Sequence, residues 1–171
     1  MSEPGETDAR QIRVGDDRRV GATQLQHRLH SLVGQWSQGK VTLKQIVGLN
    51  DEELYALAAQ GYHLFLQGKT EPARVIFEGL VAIDPRNAYY YRALGAIYWR
   101  LKEPQKALKQ FTYAIRVAPR EISSYINRAE IHVALQKFED ARIDLQFALG
   151  NAGPYDGALI SKARAILRMV A

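Results

Sequence analysis

The sequence has no cysteine, only two methionines and two tryptophans, and six prolines among its 171 residues. The missing thiols exclude disulfides, thiol catalysis and cysteine-ligated zinc. Long apolar runs are missing too: nothing approaches the roughly 20 residues that span a bilayer as a helix. The opening Met1-Ser2-Glu3-Pro4-Gly5-Glu6 lacks the basic start and apolar stretch of a secretory signal. There is no Walker-type loop, no Gly-x-Ser-x-Gly elbow and no His-Glu-x-x-His pair. His27 and His30 lie three apart but have no third ligand near in sequence, so they read as a surface pair. These absences predict no enzyme, no cofactor, no metal and no stable membrane insertion, in a cytoplasmic protein.

What is present is a globular composition, 47% hydrophobic and 24% charged, at a length that suits one domain. A period of 34 residues organises it. Pro85 and Pro119 stand 34 apart in similar contexts, and the same step links Gly61, Gly95 and Ala129; Ala73, Ala107 and Ala141; and Phe77, Phe111 and Leu145. The small residues let paired helices approach, and the large ones fill the space between one pair and the next. Leu57, Tyr91 and Tyr125, and Leu64 with Tyr98, join that filling, and His132 falls in the column of Leu64 and Tyr98 as a core substitute. Stacking must stabilise such helices, because helices of about 14 residues are marginal alone in water.

The period is that of the tetratricopeptide repeat, so the predicted fold is all-α: a right-handed superhelix of three helix pairs with an N-terminal helix and a C-terminal capping helix. The pairs are expected at 54–67 with 71–83, 88–101 with 104–117, and 122–135 with 138–149, and the cap at 156–169. Gly68 ends a helix, Thr70 is an N-cap candidate and Pro72 falls in a first turn, as Pro104 does one repeat later. The chain divides into a polar, disordered tail (1–20), an N-terminal helical segment (21–53), three repeats (54–87, 88–121 and 122–153) and the cap (154–171). Within 21–53, Leu25, Leu29, Leu32, Val33 and Trp36 recur at helical spacing. That helix either packs on the first repeat or mediates self-association as a homodimer. Val41 to Leu49 reads as a short helix or connector, and Asn50 before Asp51, Glu52 and Glu53 is an N-cap with acids where the helix dipole favours them.

In such a stack, repeat positions 2, 5, 9 and 12 of each first helix face the concave side. These are Tyr55, Ala58, Tyr62 and Phe65; Tyr89, Arg92, Ala96 and Trp99; and Ser123, Ile126, Glu130 and Val133. Aromatic residues dominate the first two sets. A concave aromatic surface suits an extended apolar peptide, with the rings as anchors; the alternative is that the N-terminal helix or a second subunit covers it. The formal net charge of +5 is uneven, since Arg86 to Arg120 holds eight basic residues against Glu103 alone. Lys102, Lys106 and Lys109 read as a solvated outer face, with Arg92 bordering the groove. Nucleic acid is not the expected partner, because the adjoining repeats are close to neutral. The carboxylate clamp of heat-shock co-chaperones is also disfavoured, with Ala58, Tyr62 and Ala93 at three of its positions.

The lead-in Thr42-Leu43-Lys44-Gln45-Ile46, then Gly48 to Ala58, Tyr62, Gly68-Lys69, Ala73, Ile76-Phe77 and Leu80, resembles class II type III secretion chaperones, the SycD/LcrH/IpgC family. Leu94-Gly95-Ala96 and Ala129-Glu130 match as well, while Ala58, Pro72 and Pro104 depart from the pattern. The likeness covers about residues 25 to 150. It implies a bacterial cytosolic chaperone that keeps a hydrophobic translocator soluble before export by binding an extended segment in the groove, and dimerisation through the N-terminal region. The alternative is an adaptor in a secretion, pilus or envelope assembly.

Overall fold

The computed structural model describes residues 43–170, together with 31, 32, 34, 35 and 38. The tail at 1–20 lies outside the described residues, as do Leu25, Leu29 and Trp36; Leu32 is helical and half-buried. Residues 43–170 form eight helices and no strand: α1 (Leu43–Val47), α2 (Asp51–Leu66), α3 (Thr70–Ile83), α4 (Ala88–Arg100), α5 (Pro104–Val117), α6 (Ile122–Ala134), α7 (Phe138–Gly150) and α8 (Gly157–Met169). No helix among the described residues is long and apolar enough to cross a membrane.

Local chemistry sets the ends of these helices. Asn50 and Glu53 form a reciprocal capping box, each side chain accepting the other's backbone N–H at 2.8 Å. This starts α2 three residues ahead of the periodic pattern. Thr70 is not a cap: it is the first residue of α3, its hydroxyl donates to the Gly68 carbonyl, and Lys69 precedes the helix without a capping side chain. Pro72 and Pro104 sit in first turns, where backbone N–H groups have no intrahelical partner.

The turn inside each pair is one motif used three times. At Gly68, Lys102 and Gln136 the backbone is left-handed, with φ of 78°, 62° and 58°. The following amide, of Lys69, Glu103 or Lys137, bonds back five residues to Leu64, Tyr98 or His132 at 2.9, 3.0 and 2.8 Å. This is a Schellman closure. Only the first copy has the glycine that adopts such a φ freely.

From α2 onward each helix packs on its neighbours in sequence; α1 packs on α3, α2 also touches α4, α4 touches α6, and α6 touches α8. The first helices of the pairs thus form one layer with α8, and α3, α5 and α7 form the other. Gly61 and Gly95 hold the layers together: a Cβ on either would lie 2.9 Å from Phe77 or Phe111. The third repeat makes the same contact with Ala129 on the smaller Leu145, both fully buried. One apolar cluster joins the first two repeats through Leu54, Phe77, Leu80, Leu94 and Phe111. A second joins α6, α7 and α8 through Ile126, Leu145, Ala163, Ile166 and Val170.

Candidate peptide-binding groove

The first helices position the candidate site, because their free side faces away from α3, α5 and α7. A hollow of about 280 Å³ opens there. Tyr62 and Phe65 of α2 line it on one side and Tyr89, Arg92, Ala93 and Ala96 of α4 on the other. Phe77 and Ile97 lie beneath, and Asn127 of α6 closes the far wall. Tyr62 remains 49% exposed and Tyr89 36%, so the rings are open to solvent. Tyr89 stands edge-on to Phe77 with centroids 6.1 Å apart, which fixes one wall of the hollow to its floor.

Charge enters from the rim. The Arg100 guanidinium lies 5.0 Å from the Phe65 ring centre and donates to the Phe65 carbonyl at 3.4 Å. Arg92 lies 5.6 Å from the Tyr89 ring centre and donates to Glu121 at 2.5 Å. Glu121 also caps α6, accepting from the Ser124 hydroxyl at 2.7 Å and its N–H at 3.3 Å. Burial alone would raise the Glu121 carboxyl, but hydrogen bonds from Ser123, Ser124 and Arg92 hold it below its usual range, so it stays ionised. Burial pushes the Tyr89 phenol up from its ordinary value. At the α6 end, Lys162 of α8 donates to Glu130 at 2.9 Å and to the Asn127 carbonyl oxygen at 3.4 Å.

The predicted groove residues divide into four groups. Tyr62, Phe65, Tyr89, Arg92 and Ala96 meet at the hollow. Tyr55, 75% exposed, and Trp99, 37% exposed, lie on the same two helices but do not line it. Ser123, Glu130 and Val133 are half-buried along α6. Ala58 and Ile126 are corrections, because both are core residues, 2% and 0% exposed, and have no surface to offer a ligand. Their small or branched side chains fit the space between helices, which takes them out of the groove.

Asn127 was missed by sequence reasoning. The available signal was a polar residue in a column otherwise filled by Ala59 and Ala93. Also missed was a second hollow, of about 330 Å³, where Arg128, His132, Asp140 and Asp144 converge. There Asp144, 3% exposed, takes both arms of Arg128 at 2.6 and 2.8 Å, and Arg128 reaches Thr112 at 3.0 Å. His132 stands 3.8 Å from Asp140, and burial lowers its imidazole below the ordinary value. It is therefore a half-buried neutral imidazole beside an ion pair rather than a plain apolar filler.

No protein-family model matches the chain. It is 33% identical over 94 residues, 53% of its length, to the DnaJ homolog subfamily C member 7 homolog of Schizosaccharomyces pombe. The chain spans about a fifth of the length of the curated relatives it matches. Among solved structures, PcrH from Pseudomonas aeruginosa superposes with a TM-score of 0.69 at 30% identity, over 72% of this chain and 95% of PcrH. The chain belongs to the type III secretion translocator chaperones. The translocator chaperone SycD of Yersinia enterocolitica shares the fold at a TM-score of 0.72 and 18% identity, covering 75% of this chain and 98% of SycD. Two members of this translocator-chaperone family are also solved with ligands: PcrH with the chaperone binding region of PopD, and SycD with a peptide of the translocator YopD. The stack of helix pairs is thus a tetratricopeptide-repeat array, as the 34-residue period predicts.

Proposed function

We propose that this chain is a cytoplasmic bacterial chaperone that holds an extended apolar segment of a secretion translocator in the groove between α2, α4 and α6. The observation that carries the reading is the open, ring-lined hollow of Tyr62, Phe65 and Tyr89, in a family whose member PcrH is solved with the chaperone binding region of PopD. Rings left in water are costly, and an apolar client side chain removes that cost. The grip is non-covalent and reversible, which suits a client that must later be released. The N-terminal helical segment with Leu25, Leu29, Leu32 and Trp36 is the proposed self-association element.

Co-expression with a translocator encoded beside this chain tests the reading. The client is expected in the soluble fraction only when the chaperone is present. Tyr62→Ala combined with Tyr89→Ala is expected to weaken binding of the client segment by roughly 2 kcal/mol in calorimetry, while circular dichroism reports an intact helical fold. A client equally soluble with and without the chaperone defeats the proposal. Copurification with a secretion component that ignores the paired substitution supports the adaptor role instead.

A further inference from the structure

The far wall of the hollow differs chemically from the near wall. Toward α2 the lining is rings and methyl groups; toward α6 it is Arg92 and Asn127, with Lys162 behind them. Three elements supply these groups: Arg92 from α4, Asn127 from α6 and Lys162 from α8. All three have hydrogen-bond donors to spare. Arg92 commits Nη1 to Glu121, and its Nε and Nη2 bond to nothing among the described residues. Lys162 points its ammonium at the Asn127 oxygen, which orients the amide and leaves the Asn127 Nδ2 donor unused among the described residues.

The two carboxylates nearby do not exhaust this array. Glu121 is held in place as the cap of α6 by Ser124, so it meets Arg92 from one side only. Glu130 takes one of the three Lys162 protons. A guanidinium carries five N–H donors in a planar fork and bridges two carboxylates readily. Arg100, stacked on Phe65 at the opposite rim, adds a positive charge with no carboxylate within 4 Å among the described residues. With Arg92 balanced by Glu121 and Lys162 by Glu130, the surplus charge is that of Arg100 at the rim, and the hollow presents unused donors beside an apolar floor.

We propose that the Arg92–Asn127 wall is a carboxylate subsite, so that the segment held in the groove carries an acidic group next to its apolar anchor. Arg92 supplies the charge-assisted hydrogen bond, Asn127 the neutral second donor, and Lys162 fixes the amide. This inference rests on the groove being the client site. The carboxylate can come from an Asp or Glu side chain within the segment or from a free chain end; the chemistry recognised is the same.

The test uses fluorescein-labelled acetylated peptides of about twelve residues, with two leucines in a Gly/Ser background and a single Asp stepped along the chain. Each has an Asn twin, and each is made with a free or an amidated C-terminus. Fluorescence anisotropy against the full chain is expected to find a position where Asp binds about tenfold tighter than Asn. That gain is lost in Arg92→Gln and reduced in Asn127→Ala, and it shrinks as salt rises. A gain that follows the Asp position assigns a side-chain carboxylate; one that needs only the free C-terminus assigns a chain end; either supports the subsite. Arg92 also ties α4 to the cap of α6, so Asn127→Ala, which leaves that pair intact, serves as the variant independent of folding. Peptides that bind through Tyr62 with Asp and Asn equal at every position overturn the subsite and leave the groove standing. Peptides that bind neither the wild type nor Tyr62→Ala, at any position, overturn both.

Discussion

The junction between the first and second repeats is apolar at its centre, with Phe77, Leu80, Leu94 and Ile97 in one cluster, and its polar links lie at the edge, where Glu78 joins Arg74 and the Tyr98 hydroxyl. The junction between the second and third adds ionic links: Arg128, held by the nearly buried Asp144 of its own repeat, reaches Thr112 of the preceding one, and Arg92 of α4 pairs with Glu121 at the start of α6. The difference matches the division of the concave face. Where the junction is apolar, rings are left open on the groove side; where it is ionic, Ile126 is sealed and the groove side turns polar. Repeats with one backbone design thus separate into an end suited to a client and an end that closes the array.

The largest effect should come from breaking the ionic junction. Arg128→Met strands the Asp144 carboxylate without its partner, and chemical denaturation should report a loss of about 3–5 kcal/mol. Adding Asp144→Leu should recover most of it, because an apolar pair of similar volume needs no desolvation of charge. If Arg128→Met alone is neutral, the contrast between the two junctions has no energetic content.

The glycine columns sharpen the comparison next. Gly95→Ala puts a methyl group 2.9 Å from Phe111 and should cost about 1–3 kcal/mol through overpacking. Phe111→Leu added to it recreates the Ala129 and Leu145 contact of the third repeat and should restore part of the loss. A double variant no better than the single one would mean that the third repeat's solution does not transfer.

A smaller effect separates the turns. Lys102→Gly and Gln136→Gly relieve left-handed backbone at residues with a Cβ, and each should add about 1 kcal/mol to thermal stability. Gly68→Ala should move the opposite way. The smallest effect concerns acidity in the third repeat. Burial keeps His132 neutral, so its folded pKa lies below 6.5 while the unfolded chain takes up its proton near that value. The contribution is complete above about pH 6.5 and declines as pH falls from there to the folded pKa. His132→Leu should flatten that part of the stability profile. Glu78 and Glu121, held below the usual carboxylate range, act only below about pH 4.5 and do not confuse the window.

The helices were legible because one spacing fixes four columns at once: a shift of any helix by one residue would bury Gly95 and Phe111 on different faces. The start of α2 is legible from its cap and not from its apolar pattern: the pattern begins at Leu54, whereas Asn50, readable as an N-cap before three acids, initiates the helix with Glu53 before any apolar residue is needed. The rings of the groove were legible from repeat position. Ala58 and Ile126 were not, because position gives only the direction of a side chain, and whether it reaches solvent depends on how closely the next helix approaches. The Arg128–Asp144 pair could not be read at all: its members are 16 residues apart in columns occupied by Leu94 and Gln110 one repeat earlier. Only the packed helices reveal that the two charges meet.

Phe77 rests against Gly61 on one side and underlies the groove on the other. The depth available to a guest is therefore written into the spacing of the helices themselves. A chain that comes to accept a bulkier guest by shortening Phe77 loosens its own first repeat unless Gly61 gains a methyl in the same step, so changes of appetite at this end of the molecule should arrive as coupled substitutions.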